Sequence, residues 1–280
     1  MIDQLDFKKF KKYSNDKISL PTDYNRLIAH TDNFFVISGY GAFDVGYYLL
    51  IPKILYSSFG EIEKLHYKEI NFWVELIKEF YQKKLNKNIF IYEHGMCGCL
   101  GGLDRAHLHL SPANLNVNKM SIIKIVNHLL KRRGVGLKKI KYNNIIIDNR
   151  YDIELIIKKS FNFEVIEGDL ISGRNIIGKK KLLFPFGLHK FSENYTPYNF
   201  FYHGEAYFLR DLDVSTQFGR EITYFLNRYI NVNDLSKIED ENWKWQLKKN
   251  SKNILISIEK LLHFLRQKNL TKNNFNLKLR

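Results

Sequence analysis

Cysteine is scarce in this chain of 280 residues: Cys97 and Cys99 are the only two. With one residue between them a mutual disulfide would be strained, and no third thiol can pair with either. A disulfide framework is therefore excluded, and a reducing, cytoplasmic compartment is expected. Long apolar runs are missing too. No segment reaches the roughly 18 consecutive apolar residues of a membrane span, so no membrane partner is expected. The opening stretch from Met1 to Lys12 is charged and lacks the apolar core of a secretory signal. Acidic residues are under-represented, 29 against 44 Lys and Arg, for a net charge of +15. Such an excess points to an anionic partner, whether nucleotide, nucleic acid or acidic surface. The basic residues run from Lys8 to Arg280 without one dominant block, so a general bias toward Lys, Asn and Ile accounts for the charge equally well. Internal repeats and low-complexity linkers are also absent, which leaves no clean domain boundary.

Hydrophobic residues make up 45% of the chain and aromatic residues 15%, the composition of a folded globular protein with a substantial core. Phe34–Ser38 and Gly46–Pro52 read as strands joined by a glycine-rich connection. Ser58 and Glu61 have capping-box spacing, which predicts a long helix from there, with Ile62, Leu65, Ile70, Trp73, Leu76, Ile77 and Phe80 on its apolar side. Asn88–Tyr92 reads as a strand. Asn118–Arg133 reads as an amphipathic helix burying Ile122, Ile125, Leu129 and Leu130. Further on, Asn162–Ile166 and Tyr207–Leu209 read as short strands. Ser215 opens a predicted helix to about Tyr229, and Lys252–Leu265 forms the last one. Strands broken by helices without a βαβ rhythm predict an α+β fold, with an antiparallel sheet flanked by helices. A soft division near residue 145 separates a core, 1–145, from a C-terminal α/β extension, 146–280, that packs on it.

The chemistry concentrates between Glu93 and Pro112. Read with period 2, Arg105, His107 and His109 share one face of a strand while Ala106, Leu108 and Leu110 share the other. The strand follows Tyr92-Glu93-His94-Gly95 and a glycine loop containing Gly98, Gly101 and Gly102. Imidazole is a nucleophile or proton carrier near neutral pH. A guanidinium offers a permanently charged planar fork to phosphate. Glycines let backbone N–H groups approach an anion without a Cβ in the way. Together they predict phosphoryl or nucleotidyl transfer, with His107 and His109 catalytic and Arg105, His94, Gly101 and Gly102 against the phosphates. Gln217 and Arg220, one helical turn apart, are further candidates for substrate contact, with a solvated helix face as the alternative. Asp104 shapes the turn before the strand, and Trp243 and Trp245 read as packing residues. Cys97, Cys99 and His94 also raise a zinc reading, against which the Cys-x-Cys spacing counts. No metal and no cofactor is assigned.

The run Arg105–Pro112 resembles the histidine triad superfamily, whose motif alternates three histidines with apolar residues. It is similar in particular to a bacterial branch related to diadenosine polyphosphate hydrolases, which reads Phe-Glu-His-Gly, a Gly/Cys loop, then Asp-His-Ala-His-Leu-His-Leu-Val-Pro. Gly46–Lys53 resembles that branch's Gly-His-φ-φ-φ-Ile-Pro-Lys strand, φ being apolar. Thr196–Phe201, Ser215–Arg220 and Asn242–Trp245 resemble its C-terminal segments, in the same order. The resemblance implies a histidine-triad-like sheet and a nucleotidyl-histidine intermediate formed by attack of His107 on an α-phosphate. It further implies that His109 assists at the phosphate and that the backbone carbonyl of Arg105 orients His107. Implied substrates are a nucleotide, a dinucleoside polyphosphate or a nucleotide sugar, and a homodimer is compatible with it. Two positions depart from the branch: Arg105 stands at the first triad position, and Tyr47 stands where the strand motif has His. They suit a retuned enzyme, or else a nucleotide- or nucleic-acid-binding protein that has lost turnover.

Overall fold

The computed structural model describes residues 26–39, 42–54, 59, 62–93, 99–100, 103–104, 106–132, 139–142, 145–148, 152–158, 165–172, 175–183, 198–202, 205–210, 218–228, 251–268, 270 and 275–280. Its strands, in chain order, are β1 Leu27–His30, β2 Phe34–Ser38, β3 Tyr48–Pro52, β4 Asn88–Glu93, β5 Cys99–Leu100, β6 Leu103–Asp104, β7 Leu108–Ala113, β8 Lys139–Tyr142, β9 Ile145–Asp148, β10 Asp152–Lys158, β11 Val165–Ser172, β12 Asn175–Leu183, β13 Tyr198–Tyr202, β14 Glu205–Arg210 and β15 Lys278–Leu279. The helices are α1 Tyr67–Phe80, α2 Lys119–Arg132, α3 Phe218–Arg228 and α4 Ser251–Gln267.

Nine strands form one sheet in the order β10-β14-β13-β4-β7-β3-β2-β1-β15, and every pairing in it is antiparallel. With the described helices beside it, the fold is α+β. Strands from both sides of position 145 share this sheet, because β13 pairs with β4 through Phe201 and Tyr92. Among the described residues three two-stranded pieces are not hydrogen-bonded into it: β5–β6, β8–β9 and β11–β12. Among the described residues no helix is long and apolar enough to cross a membrane.

Strands β2, β3 and β4 are rich in aromatic and β-branched or other large apolar residues, and β2, β3 and β7 are buried at every position. A strand with both faces buried needs cover on each side, and the helices supply it. Tyr48 points to one side, where it meets Phe80 of α1 edge-on and donates its hydroxyl proton to the Ser257 carbonyl of α4, 2.9 Å away. Phe80 in turn packs on Phe264. On this side Trp73 of α1 is fully buried, and its Nε1–H donates to Thr31 Oγ1 at 2.9 Å. Truncating Trp73 to Ala would cost about 3–5 kcal/mol on the usual scale for large core side chains. Across the sheet, α3 packs on β7 and β4, and α2 packs on α3.

Gly46 sends consecutive tyrosines to opposite sides. Its φ of +96° is a left-handed conformation that a side chain would strain, and an added Cβ would come within 2.8 Å of Leu85. Gly46 N–H donates to Ser257 Oγ at 2.8 Å, and the Tyr81 hydroxyl shares its proton between the carbonyls of Gly46 at 2.6 Å and Leu110 at 2.8 Å. This pinned turn delivers Tyr47 to the α3 side and Tyr48 to the α1–α4 side.

The long helix starts later than the Ser58–Glu61 spacing predicts. A 3-10 turn, Lys64–His66, leads into α1 at Tyr67, and His66 at the cap makes no side-chain hydrogen bond to the helix. Ile62 and Leu65 therefore precede the helix, and Leu65 is 69% exposed. The buried stripe of Ile70, Trp73, Leu76, Ile77 and Phe80 falls as the periodicity predicts. Ser58 and Glu61 lie outside the described residues. Of the predicted strand Asn162–Ile166, Val165 and Ile166 lie in β11, and 162–164 lie outside the described residues.

Candidate active site

Strand register brings the site together. In β7, His109 lies opposite Leu49 of β3 and Tyr92 of β4, so all three project to the α3 side. His107 does not lie within the strand as the period-2 reading has it. Pairing begins at Leu108, opposite Leu50, and His107 occupies the extended entry. The two imidazoles still meet, with ring centres 4.5 Å apart and planes at 64°. Both histidines are 5% exposed. Ala106, Leu108 and Leu110 are buried as well.

His109 is held from two directions. The Tyr92 ring stacks on its imidazole at 4.0 Å with 5° between the planes. Tyr47 places its hydroxyl 2.7 Å from His109 Nδ1, and the same hydroxyl bonds to that of Tyr92. Tyr92 is backed by α3 at Gly219, where an added Cβ would stand 2.2 Å from the tyrosine ring. Only a residue without a side chain lets the helix come this close.

Arg220, next along α3, is 5% exposed, with its guanidinium carbon 5.0 Å from the ring centre of Tyr47 and 5.2 Å from that of Phe43. It also hydrogen-bonds the Tyr47 hydroxyl. Burial raises the Tyr47 pKa, against which the Arg220 charge and the hydrogen bonds from Tyr92 and Arg220 pull it down. Burial pushes Tyr92 well above its ordinary range. Both phenols therefore stay protonated at neutral pH, as donors and acceptors rather than charges.

The position of α3 is fixed at its far end. Asn114 Nδ2 donates to the Asn227 carbonyl, and Asn227 Nδ2 to the Pro112 carbonyl, each at 2.6 Å. Arg228 forks onto Asp44 with N–O distances of 2.9 and 3.2 Å and lies over Tyr224, 3.6 Å from the ring centre. These bonds tie the helix to the end of β7 and to the loop that leads into Tyr47. The same two segments carry His109 and its hydroxyl partner.

Of the residues predicted for the site, the structure brings His107 against His109 and places Arg220 over the ring of Tyr47, the hydroxyl partner of His109. Arg105, His94, Gly101, Gly102 and Gln217 lie outside the described residues, as do Cys97, Trp243 and Trp245. Cys99 and Asp104 pair across the short β5–β6 ribbon. Among the described residues no group of three or more His, Cys, Asp or Glu is arranged to hold a metal. Sequence reasoning missed Tyr92, whose signal was available: it precedes Glu93-His94-Gly95 at the end of a strand, with the parity of Phe90. It also read Tyr47 only as a lost imidazole, whereas the phenol hydroxyl bonds to the imidazole of His109.

No protein-family model matches this chain, and no curated protein matches it.

The assembly offers two adjacent imidazoles, one of them braced by a phenol over which a buried guanidinium lies. Such a set can present a nitrogen nucleophile, a proton carrier and positive charge to a single anionic group.

Proposed function

We propose that this protein is a nucleotide hydrolase or nucleotidyltransferase of the histidine triad type, working through a covalent intermediate on His107. The observation that carries the reading is the buried His107–His109 pair, with His109 bonded to Tyr47 and Arg220 lying over the Tyr47 ring. The motif order around Gly46–Lys53, Glu93–Gly95 and Asp104–Pro112 supports it through its likeness to the histidine triad superfamily.

In the reaction a ring nitrogen of His107 forms a bond to the α-phosphorus of a nucleotide-containing substrate. The bond from phosphorus to the bridging oxygen breaks, and the leaving phosphate or sugar phosphate departs with the electron pair. Water, or another hydroxyl acceptor, then attacks phosphorus, loses its proton and releases His107. Arg220, His109 and the amides of the Gly101–Gly102 loop bear on the phosphate oxygens, with Arg105 and His94 as further contacts. Dinucleoside polyphosphates and nucleotide sugars fit this scheme equally, and it requires no cofactor.

Turnover of labelled dinucleoside polyphosphates and nucleotide sugars by wild type and His107→Ala tests the reading. Loss of the nucleophile is expected to lower kcat by at least about a thousandfold, roughly 4 kcal/mol of barrier. Equal turnover by the two proteins would refute it.

A second reading is a nucleotide- or nucleic-acid-binding protein without turnover. The net charge of +15 and the Arg at position 105 favour it. Its mark would be steeply salt-dependent binding of any single-stranded oligonucleotide with no covalent adduct.

A further inference from the structure

The hydrogen bonds around Tyr47 decide which nitrogen of His109 carries the proton. A phenol hydroxyl has one proton to give and two lone pairs to fill. Tyr47 has three partners: His109 Nδ1 at 2.7 Å, the Tyr92 hydroxyl and the Arg220 guanidinium. A guanidinium only donates, so Arg220 occupies one lone pair. That leaves one proton and one lone pair to divide between His109 and Tyr92.

Two arguments give the proton to His109. A separation of 2.7 Å is the usual length for an O–H donor and the short limit for an N–H···O bond, which centres near about 2.9–3.0 Å. The phenol is also the stronger acid and the neutral imidazole nitrogen the stronger base, so the phenol donates. Tyr92 then donates to the remaining lone pair of Tyr47, and every site on the Tyr47 oxygen is used. Stacking by Tyr92 keeps the imidazole from turning, since a flip would exchange Nδ1 for a carbon and break the bond.

We propose that Tyr47, held by Arg220 and Tyr92, is a positioning residue that fixes neutral His109 in the tautomer with its proton on Nε2. His109 is then a donor toward the phosphate or the leaving oxygen, and the nucleophilic role falls to His107. The role given to the donor rests on the function proposed above; the tautomer does not. It also accounts for Tyr47 in chemical terms, because the phenol does for His109 what a neighbouring imidazole or carbonyl would do.

The test is long-range proton–nitrogen NMR on full-length protein labelled at histidine nitrogens, at about pH 8, where imidazole is neutral. His109→Gln identifies the His109 signals. In wild type, His109 is expected to show an unprotonated Nδ1 and a protonated Nε2. Tyr47→Phe keeps the ring but removes the hydroxyl, and should move these signals toward a mixture of tautomers. It should also lower kcat by on the order of ten- to a hundredfold, with KM nearly unchanged. Tyr92→Phe keeps the Tyr47–His109 bond and should leave the wild-type tautomer in place. A proton on Nδ1 of wild-type His109 would overturn the inference even if no variant folds, and so would a tautomer that Tyr47→Phe leaves unchanged. The expected tautomers with no turnover of any nucleotide would uphold it while refuting the proposed function.

Discussion

Tyr47 and Tyr48 are adjacent in sequence and equally buried, yet they do different work. Tyr48 stacks on Tyr81 with 6° between the rings, and the hydroxyls of both end on backbone carbonyls: Ser257 for one, Gly46 and Leu110 for the other. Tyr47 and Tyr92 turn their hydroxyls to each other, and Tyr47 reaches on to His109. A phenol that ends on a carbonyl closes a gap in the fold, because a carbonyl has no second protonation state to transmit. One that ends on an imidazole selects between two states of a group that can do chemistry. The two sides of the sheet thus hold similar residues, and the partner of each hydroxyl separates structure from function.

The largest test of this comparison acts on both sides together. Burial raises the pKa of Tyr47, Tyr48, Tyr67, Tyr81 and Tyr92 above the ordinary value of 10.0. The folded chain therefore holds these protons more tightly than the unfolded chain. Stability is fully present below about pH 10 and falls as pH rises beyond it, since the unfolded chain ionises first. Urea midpoints should drop steeply above about pH 10, with the absorbance of these five tyrosinates appearing only as the chain unfolds. Ionisation of all the tyrosines near pH 10 in a folded protein would contradict the burial of these rings.

Gly219→Ala comes next, and it should strike the functional side alone. The new Cβ meets the Tyr92 ring at 2.2 Å, and that ring is already stacked against His109 and cannot retreat without moving it. About 1–3 kcal/mol of stability should be lost, by overpacking, together with most of the turnover. A folded variant with wild-type activity would show that Tyr92 does not brace the histidine.

Tyr48→Phe is the mirror of Tyr47→Phe. It removes one donor from the Ser257 carbonyl and should cost about 1–2 kcal/mol in thermal or urea unfolding, with kcat unchanged once folded. Tyr47→Phe should cost at least as much stability, because its hydroxyl has several buried partners, and should in addition cost much activity. Equal effects of the two on kcat would dissolve the distinction.

The same contrast explains how much was legible in the sequence. Phe34–Ser38, Gly46–Pro52 and Asn88–Tyr92 read as strands from their apolar runs, within two residues of the observed ends, and α2, α3 and α4 show in the sequence as helices. Strand β1, Leu-Ile-Ala-His, is short and mixed, and β15 is two residues long. Both exist because a neighbouring strand supplies hydrogen bonds, which local preference does not encode. The onset of α1 was misplaced because a side-chain spacing that suits a cap does not ensure that the backbone uses it. His107 and His109 were legible as a pair, since period-2 spacing alone puts both on one face, although strand pairing begins only at Leu108. Arg220 was legible only as a helix residue. That its guanidinium reaches Tyr47 depends on how closely α3 approaches β4, which Gly219 permits and which only the packed structure reveals. Tyr47 was visible as a departure from a motif, but its hydroxyl partner lies 62 residues away along the chain.

The central claim is that His107 is the nucleophile, and intact mass spectrometry tests it directly. Wild type and His107→Ala are mixed with dinucleoside polyphosphates and with nucleotide sugars, then quenched within the first turnover. The account predicts that wild type gains the mass of one nucleotidyl group and that His107→Ala gains none. An adduct of the same mass on His107→Ala, or turnover by wild type with no adduct at any time, would contradict it.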